Sequence, residues 1–485
     1  MAQSTTPPAP CFYEHTAQSI IPHLAQQMPY TSSLLRRIQH ALAHPSSTAK
    51  ILATFPPGST PGSSPPSSSS SSAPGSGSGL GIPAPSTPWL AARVDLFRGR
   101  ETQIILYSSL EAECTSLPLI DPVTVDLSRY SGPPASPSAA GPALPNANAN
   151  ANSHSHASRA THASASEKAR PSPSYAVSTI TAAPARLETA RAQLLAFLAY
   201  VKANLLHEYL SSLSDTNYGS GPSASESAAA AASAGVVLIP APDPRAFLIG
   251  SFHTGLFELL LQSGKFPRLD GDVKTPVDAD PLPGLRVHRF DNPPYYKYFF
   301  PRDVFSPSVA GQTDTETENP LPEGYRYHDR RGRIGVLPYQ LDLVQSRTHI
   351  PRPRRQLESI PSVAIYQDNG SASDENRDEI ENEMPIAWAF LGVDGAVATL
   401  HVEPEHRGRG LALSLSKEVM RRGMEAEGVF GAKNIGLVDG EMRGLVEDWV
   451  HAEVAGYNKA SRRVMEKIGG RVLTTVLWTV IEMTD

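Results

Sequence analysis

The chain has 485 residues, and its 45 prolines, 35 glycines and low aromatic content (7%) mean that only part of it can build a packed core. A net charge of −6 excludes the global basic field that is typical of nucleic-acid-binding proteins. The only cysteines, Cys11 and Cys114, exclude a disulfide framework and a cysteine-based zinc site. We therefore expect a cytoplasmic or nuclear protein, with neither a secretory signal nor a membrane-spanning segment.

Four segments are rich in proline, serine, glycine and other small residues. They span residues 56–88, 131–174, 214–234 and 306–320. Because they carry too little apolar surface to offset the entropy of ordering, we predict disordered loops, the last of them an interdomain linker. The chain is thus predicted to form an N-terminal α/β lobe over residues 1–305 and a C-terminal domain over residues 321–485.

The N-terminal lobe begins with a predicted helix pair, SIIPHLAQQM and SLLRRIQHAL. A β-hairpin follows in WLAARVDLFRGRETQIILYSSLE, where apolar residues alternate on both sides of a Gly turn. Periodic leucines predict a long helix near residues 186–213. GVVLIP then predicts a strand, and the apolar run RAFLIGSFHTGLFELLLQSG predicts a helix.

The C-terminal domain alternates elements regularly. Its patterns predict the order strand–helix–strand–strand–strand–helix–strand–helix–strand, which indicates an α/β (α+β) fold with a mixed, mostly antiparallel sheet flanked by helices. The clearest segment is IAWAFLGVDGAVATLHVEP, two strands joined at Asp394-Gly395. The helix after it, LALSLSKEVMRRGMEAEG, carries apolar residues at helical spacing.

An unusual turn, Arg407-Gly408-Arg409-Gly410, joins this hairpin to the helix. A helix N-terminus exposes unpaired amides that attract anions, and glycine lets an anion approach the backbone. Arginine adds charge that suits phosphate oxygens. The turn is not a Walker A loop, because it has no Gly-Lys-Ser/Thr. It is not a dinucleotide-binding fingerprint either, because Leu413 stands where the third glycine is required. The turn therefore predicts a pyrophosphate cradle; the alternative is a turn that is rich in these residues without binding an anion.

Two segments resemble the GCN5-related N-acetyltransferase (GNAT) superfamily. RGRGLA at 407–412 fits the signature Arg/Gln-x-x-Gly-x-Gly/Ala, which grips the pyrophosphate of acetyl-CoA. NKASRRVMEKIGG at 458–470 is similar to the block N-x-x-S-x-x-L-Y-E-K-L-G-F. PIAWAF and LHVEPEHRGRGL resemble the FR47-like branch, which includes glycine N-acyltransferase-like proteins. The resemblance covers residues 321–485, and by analogy with two-lobed members residues 1–305 are expected to form a degenerate GNAT-like lobe.

The resemblance implies that acetyl-CoA, or another acyl-CoA, is a cosubstrate and that no metal takes part. It implies CoA contacts from the strand end, the turn and the second block: Leu400, His401, Val402, Arg407, Gly408, Arg409, Gly410, Leu411, Ala412, Asn458 and Ser461. Asn458 is also a favourable helix N-cap, and the two roles are compatible.

Three positions depart from the pattern that this resemblance implies. Met465 stands where the family has a tyrosine that protonates the leaving thiolate, and methionine cannot donate a proton. Gly470 replaces a phenylalanine, and Ala396 stands where glycine-conjugating relatives carry a glutamate base, which argues against a glycine conjugase.

The candidates for a catalytic base lie on the strand before the turn. A period of two places Thr399, His401 and Glu403 on one face, and we take His401 and Glu403 as the candidate base, with polar residues at a strand end as the alternative. Tyr457 is a weaker substitute for the missing tyrosine hydroxyl. The absence of cysteine from residues 321–485 excludes an acyl-cysteine intermediate there.

The sequence thus predicts an acyl-CoA-dependent N-acyltransferase that acts by direct amine attack in a ternary complex. The expected acceptor is a small-molecule amine, with a protein amine as an alternative, and neither nucleic acid nor a membrane is an expected partner. The rival hypothesis is a catalytically impaired acyl-CoA-binding or interaction protein. A third is RNA binding through the Arg-Gly turn and RRGR at 330–333.

Overall fold

The computed structural model describes residues 10–59, 87–98, 101–113, 177–215, 245–261, 284–291, 294–306, 319–348, 350, 352–368, 381–425, 428–431, 435 and 440–484. Most of the predicted loops, at residues 60–86, 131–174, 216–234 and 307–318, lie outside the described residues, as does the predicted strand GVVLIP. The predicted fold class is confirmed, since a large, mostly antiparallel sheet is flanked by helices.

Two β-sheets form the centre of the described structure. Their strands are β1 (Tyr13–Glu14), β2 (Lys50–Ala53), β3 (Leu90–Val94), β4 (Ile104–Ser108), β5 (Ala246–His253), β6 (Leu285–Phe290), β7 (Tyr295–Pro301), β8 (Tyr325–Arg326), β9 (Ser362–Gln367), β10 (Ala387–Leu391), β11 (Val397–Val402), β12 (Trp449–Ala455) and β13 (Arg471–Met483). The nine-stranded sheet has the order β1-β2-β3-β4-β5-β13-β7-β12, with β6 also paired to β13, and the four-stranded sheet has the order β11-β10-β9-β8.

The helices cover the faces of these sheets. They are α1 (Ala17–Ala25), α2 (Ser32–Ala43), α3 (Pro184–Tyr200), α4 (Leu206–Asp215), α5 (Thr254–Leu261), α6 (Arg302–Phe305), α7 (Leu341–Arg347), α8 (Arg354–Glu358), α9 (Leu411–Gly423), α10 (Gly440–Glu447) and α11 (Lys459–Ile468). The predicted long helix is present as α3 and α4, joined by a π-helical turn at Val201–Leu205. None of the helices in the described ranges combines the length and apolar character that crossing a bilayer requires.

The two halves of the chain repeat one order of elements. Each half runs strand, two helices, three strands, helices, strand, helix and strand, as β1 to β6 in the first half and β8 to β13 in the second. In each half, the fourth strand is parallel to the fifth. β4 pairs with β5 at Ile104 and Ile249, and β11 meets β12 at an isolated bridge between Ala396 and His451. The assignment of residues 1–305 to a degenerate GNAT-like lobe stays a prediction.

The larger sheet crosses the predicted boundary between the two domains. β12 pairs with β7, and β13 pairs with β5, β6 and β7, so strands of the segment 321–485 complete a sheet that begins before residue 305. The predicted linker at 306–320 therefore does not separate two sheets. Local sequence patterns specify strands but not their partners, and the division into two domains stays a prediction.

One predicted helix in the N-terminal half is wrong in its first part. RAFLIGSFHTGLFELLLQSG begins as strand β5 and becomes helical only from Thr254. Phe247, Ile249 and Phe252 are fully buried within the larger sheet. A continuous apolar run fits a buried strand as well as a buried helix, because periodicity does not separate the two.

Candidate active site

Strands β11 and β12 lie side by side but separate along their length. Among the described residues, the isolated parallel bridge between Ala396 and His451 joins the two sheets. Beyond that bridge each strand pairs only on its outer side, β11 with β10 and β12 with β7. The facing backbone groups are therefore available to a ligand that inserts between the strands. We call this gap the strand opening.

A β-bulge in β11 lies beside the strand opening. Trp388 of β10 is paired with His401 and Phe390 with Ala398, so that Thr399 and Leu400 together stand opposite a single residue. Thr399 has φ +52°, a left-handed conformation that costs about 1–3 kcal/mol for a residue other than glycine. The Thr399 Oγ1 atom is enclosed and has no hydrogen-bond partner among the described residues. The bulge breaks the predicted period of two between Thr399 and His401.

The two predicted base candidates, His401 and Glu403, do lie together. The His401 ring stacks on the buried Trp388 indole at a centroid distance of 4.6 Å. His401 Nε2 lies 3.4 Å from Glu403 Oε2, without hydrogen-bond geometry, and Arg347 Nε donates to Glu403 Oε1 at 3.0 Å. Arg347, at the end of α7, and Trp388 were not predicted as site residues, because nothing in their spacing connects them to β11.

The environment sets the protonation of this pair. Burial lowers the pKa of the His401 imidazole, although the Glu403 carboxylate acts in the opposite direction. Burial acts to raise the pKa of the Glu403 carboxyl, but the hydrogen bond from Arg347 and the nearby His401 outweigh it and lower that pKa. At neutral pH the imidazole is therefore uncharged and able to accept a proton.

The predicted pyrophosphate cradle forms an open turn at the start of α9. Gly408 and Gly410 have φ +79° and +84°, which glycine alone adopts without strain. A Cβ atom placed on either glycine would meet nothing within 4 Å, so the space above the backbone is free. Among the described residues, the five backbone amides from Gly408 to Ala412 donate no hydrogen bond. The turn therefore offers unsatisfied donors to an anion.

The arginines of the turn are held by neighbouring groups. Arg407 Nε donates to the carbonyl of Val402 at 2.9 Å, which ties the turn to the end of β11. Arg409 Nη1 donates to the Tyr325 hydroxyl at 2.9 Å, and His406 Nδ1 lies 3.1 Å from the same oxygen. Both guanidinium groups are thus fixed beside the open amides. Tyr325 comes from β8, distant in the sequence, and no motif indicated it.

Asn458 and Ser461 lie at the start of α11. Asn458 Oδ1 accepts a hydrogen bond from the Ser461 amide at 3.1 Å, so the predicted N-cap is confirmed. The bond uses the oxygen of the side-chain amide of Asn458. The predicted contacts of Asn458 and Ser461 with CoA stay predictions.

The three departures from the family pattern have structural explanations. Met465 is 2% exposed and is part of the core under α9 and α11. A Cβ on Gly470 would lie 2.5 Å from Cε1 of Phe300, whose ring occupies the space of the expected phenylalanine. Ala396 forms the bridge to His451 at the closed end of the opening.

The N-terminal part of the chain matches a known protein family. Residues 8–298 match the model of the acyl-CoA N-acyltransferase verG N-terminal domain, which is more than half of the chain. The chain belongs to this family. The match covers the half of the chain that carries no recognisable motif, whereas RGRGLA and NKASRRVMEKIGG lie beyond it. The family description agrees with the acyl transfer that the C-terminal motifs predict, and the FR47-like branch stays a prediction.

The similarities of this chain to solved structures are distant. A Drosophila protein has 13% identity and a TM-score of 0.28, covering 50% of this chain and 61% of its own. A GCN5-related N-acetyltransferase from Sphaerobacter thermophilus has 12% identity and a TM-score of 0.24, covering 50% and 62%. One from Kribbella flavida has 12% identity and a TM-score of 0.23, covering 41% and 60%. This chain thus spans less than two thirds of each, and no curated protein matches it.

Proposed function

We propose that this protein is an acyl-CoA-dependent N-acyltransferase, with acetyl-CoA as the acyl donor. The observation that carries the proposal is the strand opening leading to a turn of open amides, Gly408 to Ala412, flanked by two fixed arginines. A long ligand with a pyrophosphate at one end fits this arrangement, because the turn binds the anion and the opening takes an extended chain. The family description supports acyl-CoA as that ligand.

Each group of residues has a part in the proposed reaction. Arg407, Arg409 and the amides up to Ala412 hold the pyrophosphate. Leu400, His401 and Val402 provide backbone contacts to the pantetheine arm, and the bulge presents a backbone amide that polarises the acyl carbonyl. The acceptor amine attacks that carbonyl directly in a ternary complex, so most of the acceleration comes from positioning.

His401 is the proposed acceptor of the proton that the nitrogen loses after attack. Its imidazole is neutral at pH 7, and Glu403, held by Arg347, stabilises the imidazolium that forms. The acceptor is proposed to be a small-molecule amine, with a protein amine as the alternative. Arg330, Arg331 and Arg333 are paired with acidic side chains, which favours this proposal over RNA binding through RRGR.

A second candidate function is acyl-CoA binding without catalysis. The specific observation that favours it is the burial of Met465 in the core, which leaves the position of the family tyrosine without a proton donor. This rival shares the cradle and the strand opening with the enzyme, so CoA binding alone does not separate the two functions.

An assay of free thiol release separates them. The full chain is mixed with acetyl-CoA and a panel containing spermidine, tryptamine and a lysine peptide, and the thiol is followed with a chromogenic reagent. The enzyme is expected to release thiol with at least one amine, and His401→Gln is expected to lower that rate about 100-fold. The enzyme proposal would be overturned if the protein binds acetyl-CoA but releases no thiol with any amine, whether the donor is acetyl-CoA or a longer acyl-CoA. The acyl-CoA-binding protein would then be the remaining function.

A further inference from the structure

A buried polar cluster lies under the N-terminus of α2, where the two halves of the chain meet. It consists of the buried residues Ser33 (α2), Ser251 (β5), Lys297 (β7) and His451 (β12) and of the buried side chain of Glu453 (β12). Lys297 Nζ donates to Ser33 Oγ at 2.7 Å and to Ser251 Oγ at 3.1 Å, and Ser251 Oγ donates to Glu453 Oε1 at 2.5 Å. Four separate elements thus converge on one carboxylate.

The two oxygens of Glu453 differ in their surroundings. Oε1 is 3.3 Å from Lys297 Nζ and also accepts from the hydroxyls of Ser33 and Ser251. Oε2 is enclosed and has no hydrogen-bond partner among the described residues, and the side chain is 3% exposed. Buried polar atoms are nearly always hydrogen-bonded, so a buried carboxylate oxygen without a donor indicates a place for a ligand.

Glu453 stands at the beginning of the strand opening. It is two residues beyond His451, whose bridge to Ala396 closes the opening, and Thr399 is three residues beyond Ala396 on the other strand. On β12 the alternate residues Val450, Ala452 and Val454 face the core under α9, so Glu453 faces the opposite side. Val402 faces the same core, and His401 beside it therefore shares the face of Glu453.

The chemistry of this position suits a protonated amine. An alkyl amine is almost entirely an ammonium ion at pH 7, with three donors and a positive charge, and it must lose a proton before it can attack. A carboxylate oxygen without a partner accepts such a donor. The Lys297 ammonium nearby repels a second positive charge, which lowers the pKa of a bound ammonium and favours its neutral form.

We propose that Glu453, positioned by Lys297, binds the ammonium group of the acceptor amine and removes its first proton. This inference rests on the proposed N-acyltransferase function, and it specifies the acceptor as a basic primary amine that enters as a cation.

The proton transfers balance as follows in the proposed reaction. The ammonium gives one proton to Glu453 Oε2, forming a neutral amine and a carboxylic acid. The amine nitrogen then bonds to the thioester carbon, and His401 takes the second proton from nitrogen. The carbon–sulfur bond breaks, and CoA leaves as a thiolate that takes up a proton from solvent. Glu453 and His401 then release their protons to solvent, so no further reactant is needed.

Other charged and titratable groups surround Glu453 on several elements. Burial is the largest influence on its carboxyl and raises its pKa, as does Asp394 of the hairpin, while Lys297 opposes them. The groups near Lys297 and His451 are Arg36 of α2, Glu111 after β4 and His253 of β5. Burial raises the pKa of Glu111 to about 8 and lowers that of His253 to about 3, so both side chains are neutral at pH 7. Burial lowers the pKa of Arg36 only to about 9, so Arg36 is charged at pH 7, and Lys297 is the basic side chain that contacts the Glu453 carboxylate directly.

The test is the pH dependence of Glu453→Gln in the full chain, with acetyl-CoA and the amine that is acylated fastest in the panel. At pH 7 we expect kcat/KM for the amine to fall about 100-fold, with unchanged affinity for acetyl-CoA. The lost activity should return about tenfold per pH unit as the pH approaches the pKa of the amine, because the neutral amine then enters from solution. His401→Gln should lose kcat without this recovery.

A matched control is Glu111→Gln, which removes the other buried carboxyl near Lys297 and is expected to keep kcat/KM within threefold. A loss in Glu453→Gln that does not change with pH, or a loss below threefold, overturns the proposal. If activity recovers at high pH in His401→Gln and not in Glu453→Gln, His401 is the group that removes the first proton. That result also overturns the proposal for Glu453.

A second variant covers the case in which Glu453→Gln does not fold. Glu453→Asp keeps the charge opposite Lys297 but withdraws it by one methylene, and we expect the KM for the amine to rise at least about fivefold while the affinity for acetyl-CoA is unchanged. An unchanged KM overturns the proposal. Failure of the proposed function itself looks different, because then the unaltered protein releases no thiol with any amine.

Discussion

The N-terminal and C-terminal halves of the molecule share an order of elements but differ where their fourth strand leads to a helix. In the C-terminal half, β11 is joined to α9 by the short turn at 403–410, which ends on a left-handed glycine with open amides. In the N-terminal half, α3 begins at Pro184, which has no amide hydrogen, after Ala183, which makes no side-chain cap bond. Among the described residues, the open amides of the proposed anion-binding turn thus lie at the start of α9, and the start of α3 has no equivalent.

The residues before α3 also bond to the protein instead of remaining open. The Ser178 amide donates to Thr475 Oγ1 at 2.7 Å, and the Thr475 amide donates to Ser178 Oγ at 2.7 Å. Thr254 Oγ1 donates to the carbonyl of Ser178 at 2.7 Å. These bonds satisfy backbone groups near the parallel strands β4 and β5. The two halves therefore share their strand order and differ at this turn, which agrees with the proposal that the turn itself binds the anion.

The largest expected difference between the halves is in how their helices are anchored. The Glu418 carboxylate of α9 is fully buried and accepts from the Asn319 amide at 3.0 Å and from Arg421 and Arg422. We expect Glu418→Gln to lower the free energy of unfolding by about 3 kcal/mol in urea denaturation at pH 7. The counterpart near α3 is the partly exposed pair of Glu113 and Arg186, and Glu113→Gln should cost less than about 1 kcal/mol.

The pH dependence of this effect follows from the pKa of Glu418. Burial acts to raise that pKa, but the hydrogen bonds from Arg421, Asn319 and Arg422 outweigh it and lower it to about 2. Since the folded pKa lies below the ordinary value of 4.5, the stabilisation is present above pH 4.5 and is lost as the pH falls towards 2. The difference between wild type and Glu418→Gln should therefore shrink in acid, and a constant difference would contradict this anchoring.

The next largest effect concerns the open glycine turn. We expect Gly410→Val to weaken acetyl-CoA binding about 30-fold in calorimetry, because the side chain enters the space that the anion needs. The matched control is Gly58→Val in the N-terminal half, where φ is +81° and the space is equally open. Both variants should lose about 1–3 kcal/mol of stability from backbone strain. Equal affinity of the two variants for acetyl-CoA would show that this turn does not bind the pyrophosphate.

The smallest expected effect is that of a single arginine. We expect Arg409→Ala to weaken acetyl-CoA binding about 10-fold and to reduce its salt dependence, since one charge-assisted contact to phosphate is lost. Arg186→Ala, at the equivalent first turn of α3, should leave the affinity unchanged. A titration of the two variants at low and high salt checks this, and an equal loss in both would show that the two turns do not differ.

Local patterns in the sequence were sufficient for much of the C-terminal half. The Asp394-Gly395 hairpin, the helix after the Arg-Gly turn and the N-cap at Asn458 are confirmed, because each depends on residues close together in the chain. The short helices α8 and α10 were missed, and β5 was predicted as helix, because brief or continuously apolar segments lack a distinctive period.

Contacts between distant segments could not be predicted in this way. The pairing of β13 with β5 and β7 joins the two halves, and it depends on surfaces rather than on any local motif. No local sequence pattern distinguishes Glu453 from other strand residues, because its contacts with Lys297, Ser33 and Ser251 come from distant segments of the chain. The turn was found from the sequence because glycine and arginine lie side by side there, whereas the proposed amine site is assembled from four elements.

The most direct test of the central claim is calorimetric titration of the full chain with acetyl-CoA, alongside Gly410→Val and Gly58→Val. If the C-terminal turn binds the pyrophosphate, wild type and Gly58→Val should bind with equal affinity, and Gly410→Val should bind about 30-fold more weakly. Absence of binding by the wild type at millimolar acetyl-CoA and longer acyl-CoAs would contradict both the enzyme and the binding protein.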